Sequence, residues 1–196
     1  MGMAVTVLTV WLMMTTLAQA AGKAVTDRAW DDCSSNVPDQ MITGCTMVLE
    51  GGIKESTGNR AVAFYNRGLA YLDKDEYDRA IADLSEAIRL KRDYAEAFNN
   101  RGIAYIRKGE YDRAIADLNE AIRLKPDHAK AFLNRGGAYF GKDDYDRAIA
   151  DLSEAIRLKP DYAKAFQSRS EIFSAKGDTD HWQEDWAKAV ELELPR

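Results

Sequence analysis

Basic residues are too few here for a surface that holds polyanions. The 196-residue chain carries 27 Lys and Arg against 32 Asp and Glu, a formal net charge of -5. A nucleic-acid binder must displace counterions with a basic surface, so that class is excluded, and docking on an anionic membrane goes with it. Histidine is scarcer still. His128 and His181 are the only two, and both lie far along the chain from Cys33 and Cys45. A zinc site would lack its ligands. No nucleophile–base–acid constellation is visible, and no glycine-rich phosphate loop, because each glycine falls inside a helical pattern or a turn. The abundant carboxylates sit on solvated helix faces. The expectation is a protein that is no enzyme and uses no cofactor and no metal.

Charge is also missing from the N-terminus. No charged side chain precedes Lys23, the stretch from Ala4 to Leu17 is apolar and Thr-rich, and Ala18-Gln19-Ala20 fits the small-x-small pattern of a cleavage site. A signal peptide over residues 1–20 is expected, with the mature chain periplasmic or secreted and free of the membrane after cleavage. The n-region has no Lys or Arg, so two alternatives stand. One is an uncleaved anchor, since a membrane helix needs about 20 residues. The other is a cytosolic protein with a different start. Cys33 and Cys45 side with export. They are an isolated pair twelve residues apart, which reads as a disulfide in an oxidising compartment. Closing so short a loop stabilises by about 3 kcal/mol in the chain-entropy picture. The alternative is two buried free thiols.

What is present is repetition. Shifted by 34 residues, the sequence matches itself over four blocks: 61–94, 95–128, 129–162 and 163–196. In the second block Phe98, Gly102 and Tyr105 are spaced +4 and +3, one stripe of a helix. Ala114, Leu118 and Ala121 make the facing stripe of a second helix. Gly102 and Ala114 are small enough for the two helices to approach closely. Lys108-Gly109-Glu110 makes the turn, and Pro126 ends the second helix by pushing Lys125 out of helical geometry. Arg67, Arg101, Arg135 and Arg169 recur in step with Asp83, Asp117, Asp151 and Asp185, which predicts an ion pair between the two helices of each unit.

These blocks resemble tetratricopeptide repeats, in the variant with Asn-Arg-Gly in the first helix (66–68, 100–102, 134–136) and Tyr-Asp-Arg-Ala-Ile-Ala-Asp-Leu in the second (77–84, 111–118, 145–152). The resemblance implies an all-α fold, an α-α superhelix of four helix pairs whose first helices line a concave face. It also implies a scaffold that binds a protein or peptide. Residues 21–60 depart from the period and resemble the atypical hairpin that precedes the repeats in small exported bacterial members. Short helices are expected near Asp27–Ser34 and Pro38–Leu49, pinned by a Cys33–Cys45 bridge. Gly51-Gly52 and Ser56-Thr57-Gly58-Asn59 are expected to form a linker, and the whole unit to cap the stack. The fourth block is degenerate: Ser170 replaces the glycine, and Trp182 and Trp186 stand at Ala and Leu positions. It reads as a closing cap or as a partner anchor.

The repeats differ from one another in one place. The second and third agree at 25 of 34 positions, and five of the nine differences fall at positions 2, 5, 9, 12 and 13 of the first helix. Positions 2, 5, 9 and 12 form one helix face, which the family directs into the groove. With position 13 added, the residues in the first repeat are Val62, Tyr65, Leu69, Leu72 and Asp73. The second has Glu96, Asn99, Ile103, Ile106 and Arg107. The third has Lys130, Leu133, Gly137, Phe140 and Gly141, and the fourth Lys164, Gln167, Glu171, Ser174 and Ala175. Beside them stand Asn66, Asn100 and Asn134 at position 6. Their amides either hold a peptide backbone or complete the local motif. The expected partner is a protein or peptide in this groove, with the chain a monomer or weakly self-associating. The alternative is a structural subunit that contacts its complex through its end caps. The clamp that some cytosolic members use for chaperone tails is matched only at Asn100 and Lys130.

Overall fold

The computed structural model describes residues 22–50 and 55–194. The candidate signal segment and Gly51-Gly52 lie outside them. Ten helices follow in order among the described residues: α1 (22–33), α2 (Pro38–Glu50), α3 (Thr57–Asp73), α4 (Tyr77–Leu90), α5 (Ala95–Arg107), α6 (Tyr111–Leu124), α7 (Ala129–Phe140), α8 (Tyr145–Leu158), α9 (Ala163–Lys176) and α10 (Thr179–Glu193). Each helix from α2 onward packs on the next. The odd-numbered helices α3, α5, α7 and α9 also touch each other in succession, whereas the even-numbered ones do not. A stack whose one row is in mutual contact and whose other row is splayed must curve toward the first. The first helices of the units therefore line the inside of an α-α superhelix.

The local causes are legible in the chain. Ser56 caps α3 by accepting a hydrogen bond from the Asn59 backbone N–H at 3.1 Å. Residues 56–59, expected as linker, are thus the N-cap and first turn of α3. The turn inside each unit needs a left-handed residue, and Asp75, Gly109, Asp143 and Gly177 supply it with φ of 58, 75, 59 and 75°. Close approach needs Gly68, Gly102 and Gly136. A Cβ on Gly102 would lie 2.9 Å from Leu118 Cγ. Leu84, Leu118 and Leu152 are fully buried against them.

The N-terminal hairpin is closer to a repeat than its sequence suggests. An offset of 39 residues, not 34, aligns α2 with α4: Asp39 on Asp78, Thr46 on Ser85 and Cys45 on Leu84. Lys74 reaches Asp39 at 2.5 Å just as Lys108 reaches Asp78 at 2.6 Å. Cys45 is disulfide-bonded to Cys33, and both are fully buried. The disulfide stands where the repeats place their glycine–leucine contact, and Gly44 stands where they place the aspartate of the ion pair. A Cβ at Gly44 would meet the Cys33 backbone nitrogen at 2.5 Å, so α1 and α2 lie backbone to backbone. Asn66 Nδ2 donates to the Cys33 carbonyl at 3.1 Å and ties this unit to α3. The cap is a shortened repeat with a covalent bond in place of the glycine–leucine contact and no ion pair at the position of Asp83.

Candidate partner-binding groove

The variable face of the first helices divides in two. Positions 5 and 6 are turned into the seams between neighbouring inner helices. Asn99 and Leu133 are buried. Tyr65 packs against Tyr94 with the rings tilted and 4.8 Å between centroids, and accepts a hydrogen bond from Asn100 Nδ2 at 3.0 Å. Burial pushes the Tyr65 hydroxyl up from its ordinary pKa. Asn134 Nδ2 repeats the pattern one unit on, donating to Asn99 Oδ1 at 2.9 Å. The asparagines at position 6 thus commit an amide N–H to the preceding unit, a bond across the seam and not within the local motif. At position 12, Leu72 and Ile106 are half-buried against the cores of their units.

The remaining positions stay open. Val62 at position 2 is 40% exposed and Phe140 at position 12 is 36% exposed, its ring 5.8 Å from that of Tyr145. Leu69 and Ile103 at position 9 are half-exposed. Gly137 takes the same place on α7, and a Cβ there would find nothing within 4 Å. It makes a notch in the apolar strip between Ile103 and Phe140. Glu96 is 3.6 Å from Lys125. Arg107, Lys130 and Lys164 are exposed and make no ion pair among the described residues. The open face is therefore apolar, with free cations at its edges, on a chain that is acidic overall. Among the described residues, no group of three or more metal-ligating side chains exists, and no helix is long and apolar enough to cross a membrane.

The model of the tetratricopeptide repeat matches residues 65–127 and 100–163, together half of the chain. The chain belongs to the tetratricopeptide-repeat family. No curated protein matches it. Among solved structures, a crystal structure of MamA is 28% identical with a TM-score of 0.68, over 80% of this chain and 88% of that one. A second MamA crystal structure is 25% identical, with a TM-score of 0.72 over 89% and 96%. The first tetratricopeptide domain of Spaghetti (RPAP3), bound to the HSP90 peptide SRMEEVD, is 25% identical with a TM-score of 0.59, over 64% of this chain and 99% of that domain. A tetratricopeptide-repeat fold is typically a non-catalytic interaction scaffold, and the family match supports a protein-interaction scaffold in general.

In this tetratricopeptide-repeat protein the arginine of each unit does more than its spacing predicts. The expected pair forms in all four units and is bidentate. Arg101 Nε and Nη2 donate to Asp117 at 2.7 and 2.8 Å, with side chains 18 and 10% exposed. The bond to Asp83 raises the Arg67 guanidinium above its ordinary pKa, against the opposing effect of burial. The third donor, Nη1, crosses the seam to the second helix of the preceding unit: to Thr46, Ser85, Asn119 and Ser153 in turn. Each arginine is thereby shared between two units. Lys74, Lys108, Lys142 and Lys176 form a second series, each bonded to an aspartate on the unit before: Asp39, Asp78, Asp112 and Asp146. Comparing residues across units, sixteen apart for the arginines and thirty apart for the lysines, would have revealed both series.

Proposed function

We propose that the concave face binds an extended peptide segment of a partner protein, seated along Val62, Leu69, Ile103 and Phe140. The observation that carries this reading is where the repeats differ. They are nearly identical at the residues that pack the two helices of each unit together, and among the positions where they differ, 2 and 9 are left open by the packing. Surface drift alone would vary the outer helices equally, yet 145–152 repeats 111–118 without a change. An exposed apolar strip is costly without an occupant and commonly marks a binding surface. Gly137 leaves room at its centre for a bulky side chain of the ligand.

The same reading places the protein outside the reducing cytosol. The Cys33–Cys45 disulfide supports an oxidising compartment, and the apolar segment ahead of Lys23 is consistent with export.

The test is a peptide array probed with the intact protein and with the double variant Leu69→Asp/Ile103→Asp. Both side chains are half-exposed, so the fold should survive, and circular dichroism checks that it does. Peptides that bind the wild type should lose at least about tenfold in affinity, as expected for charges placed in an apolar contact. Unchanged binding by a folded double variant would overturn the groove reading.

A further inference from the structure

Each seam in this solenoid has the same construction. The far side of an even-numbered helix is covered by the next inner helix, which brings an arginine to position 25 and a lysine to position 18. The far side of α10 has no such cover among the described residues. Trp186, Val190 and Leu194 lie at i, i+4 and i+8 along it and are 46, 43 and 61% exposed. In the earlier units the residues corresponding to Trp186 are Leu84, Leu118 and Leu152, all fully buried. Those corresponding to Val190 are Ile88, Ile122 and Ile156, all packed in the core clusters. The apolar character of the seam has thus been kept and enlarged where nothing among the described residues covers it.

We infer that this outer face of α10 is a docking surface for a basic amphipathic helix of a partner protein. Three observations select that occupant. The seam's arginine receptor has been removed, since Ala187 stands where Ser85, Asn119 and Ser153 accept the arginine, and Gln183 breaks the packing row of Ile81, Ile115 and Ile149. The lysine's acceptor is kept, as Asp180 in the place of Asp78, Asp112 and Asp146. A further repeat of the same kind would find no acceptor for its arginine and a polar Gln183 in its packing row. The apolar stripe is bordered by Asp180, Glu184 and Glu193, none of which makes an ion pair among the described residues. Two copies pairing through this face would set those carboxylates against each other. Head-to-tail stacking fares no better, because the α1 end offers Asp32 where the repeats carry their seam arginine. A helix with an apolar stripe flanked by Lys or Arg meets both the stripe and the carboxylates. Trp186 at the centre is the residue type most often found to dominate such contacts. The inference is independent of the groove on the other side of the molecule.

The experiment uses the intact, disulfide-bonded protein and two synthetic peptides of about 18 residues, long enough to form a helix on contact. Both are amphipathic, one built from Leu and Lys and its twin from Leu and Glu. Titration calorimetry at physiological ionic strength should show the Leu/Lys peptide binding at least about tenfold more tightly than its twin. Val190→Asp/Leu194→Asp should weaken the Leu/Lys peptide by about tenfold or more, while Leu69→Asp/Ile103→Asp leaves it unchanged. The charge variant Asp180→Asn/Glu184→Gln/Glu193→Gln keeps the stripe and should reduce the salt dependence of binding. Equal binding of the twins, or full binding by the Val190/Leu194 variant, would overturn the inference. So would a concentration-dependent dimer in sedimentation velocity that this variant abolishes, because the occupant would then be a second copy.

Discussion

Replacing Gly137 with alanine should make this protein more stable. The residue lies within α7, where glycine costs about 0.5–1 kcal/mol relative to alanine because it loses more backbone freedom on folding. The usual reason for keeping a helical glycine is a close neighbour. Gly136 has one, since a Cβ there would stand 3.0 Å from Leu152 Cγ, but a Cβ on Gly137 would have nothing within 4 Å. The new methyl therefore meets no steric opposition, and the full propensity gain is expected. For a chain of this length 1 kcal/mol moves Tm by about 2–4 °C, so a rise of about 2 °C should appear in a thermal melt followed by circular dichroism. Gly137→Leu should keep most of that gain, since leucine is also a good helix former, and would fill the notch. If the notch receives a ligand side chain, the leucine variant loses peptide affinity while gaining stability. A fall in Tm for the alanine variant would refute the packing argument. A leucine variant that is more stable and binds every peptide as before would show that the notch is unused.

Two further outcomes follow from the seams. Asp117→Asn leaves the Arg101 guanidinium without its carboxylate in a site that is mostly buried, and should cost about 3 kcal/mol. The urea midpoint measures it, and a loss below about 1 kcal/mol would mean that water replaces the pair. His128 gives a pH dependence: burial, then the nearby Lys125, hold its imidazole below the ordinary value, and its Nε2 has no hydrogen-bond partner among the described residues. The unfolded chain therefore binds more protons, and stability should fall as pH drops below the unfolded pKa of about 6.5. His128→Tyr, matching Tyr94 and Tyr162, should remove that part of the slope in melts taken across this range; an unchanged slope counts against the assignment.

The helix pairs were readable from the sequence because period and motif reinforce each other. Gly102, Ala114 and Leu118 are small and large in the register that two touching helices demand, and Arg101 and Asp117 recur in step. The cap was harder. Its second helix lies 39 residues before that of the first repeat and a disulfide takes the place of the glycine–leucine contact, so self-comparison at 34 passes over it, although Cys33 and Cys45 announced the bond itself. The groove was half legible. A variable stripe on one helix face is visible in the letters, but its division is not. Tyr65, Asn99 and Leu133 turn into the seam because neighbouring inner helices converge there, and that convergence depends on the curvature of the whole stack. The seam contacts of Lys108 and Lys142 were missed because comparison within a unit cannot show bonds between units.

Sharing each arginine between two units has a consequence for how such a chain can change. Donor and acceptor sets are the same at every internal junction: Arg101 with Ser85, Arg135 with Asn119, Arg169 with Ser153. A duplicated 34-residue block would arrive with its contacts to both neighbours already written, and a deleted one would leave two compatible surfaces to rejoin. The length of the array is thus free to drift by whole blocks without passing through a misfit intermediate. That freedom stops at the disulfide-locked hairpin, whose two helices no longer follow the repeat, and at α10, where Ala187 has replaced the arginine's acceptor.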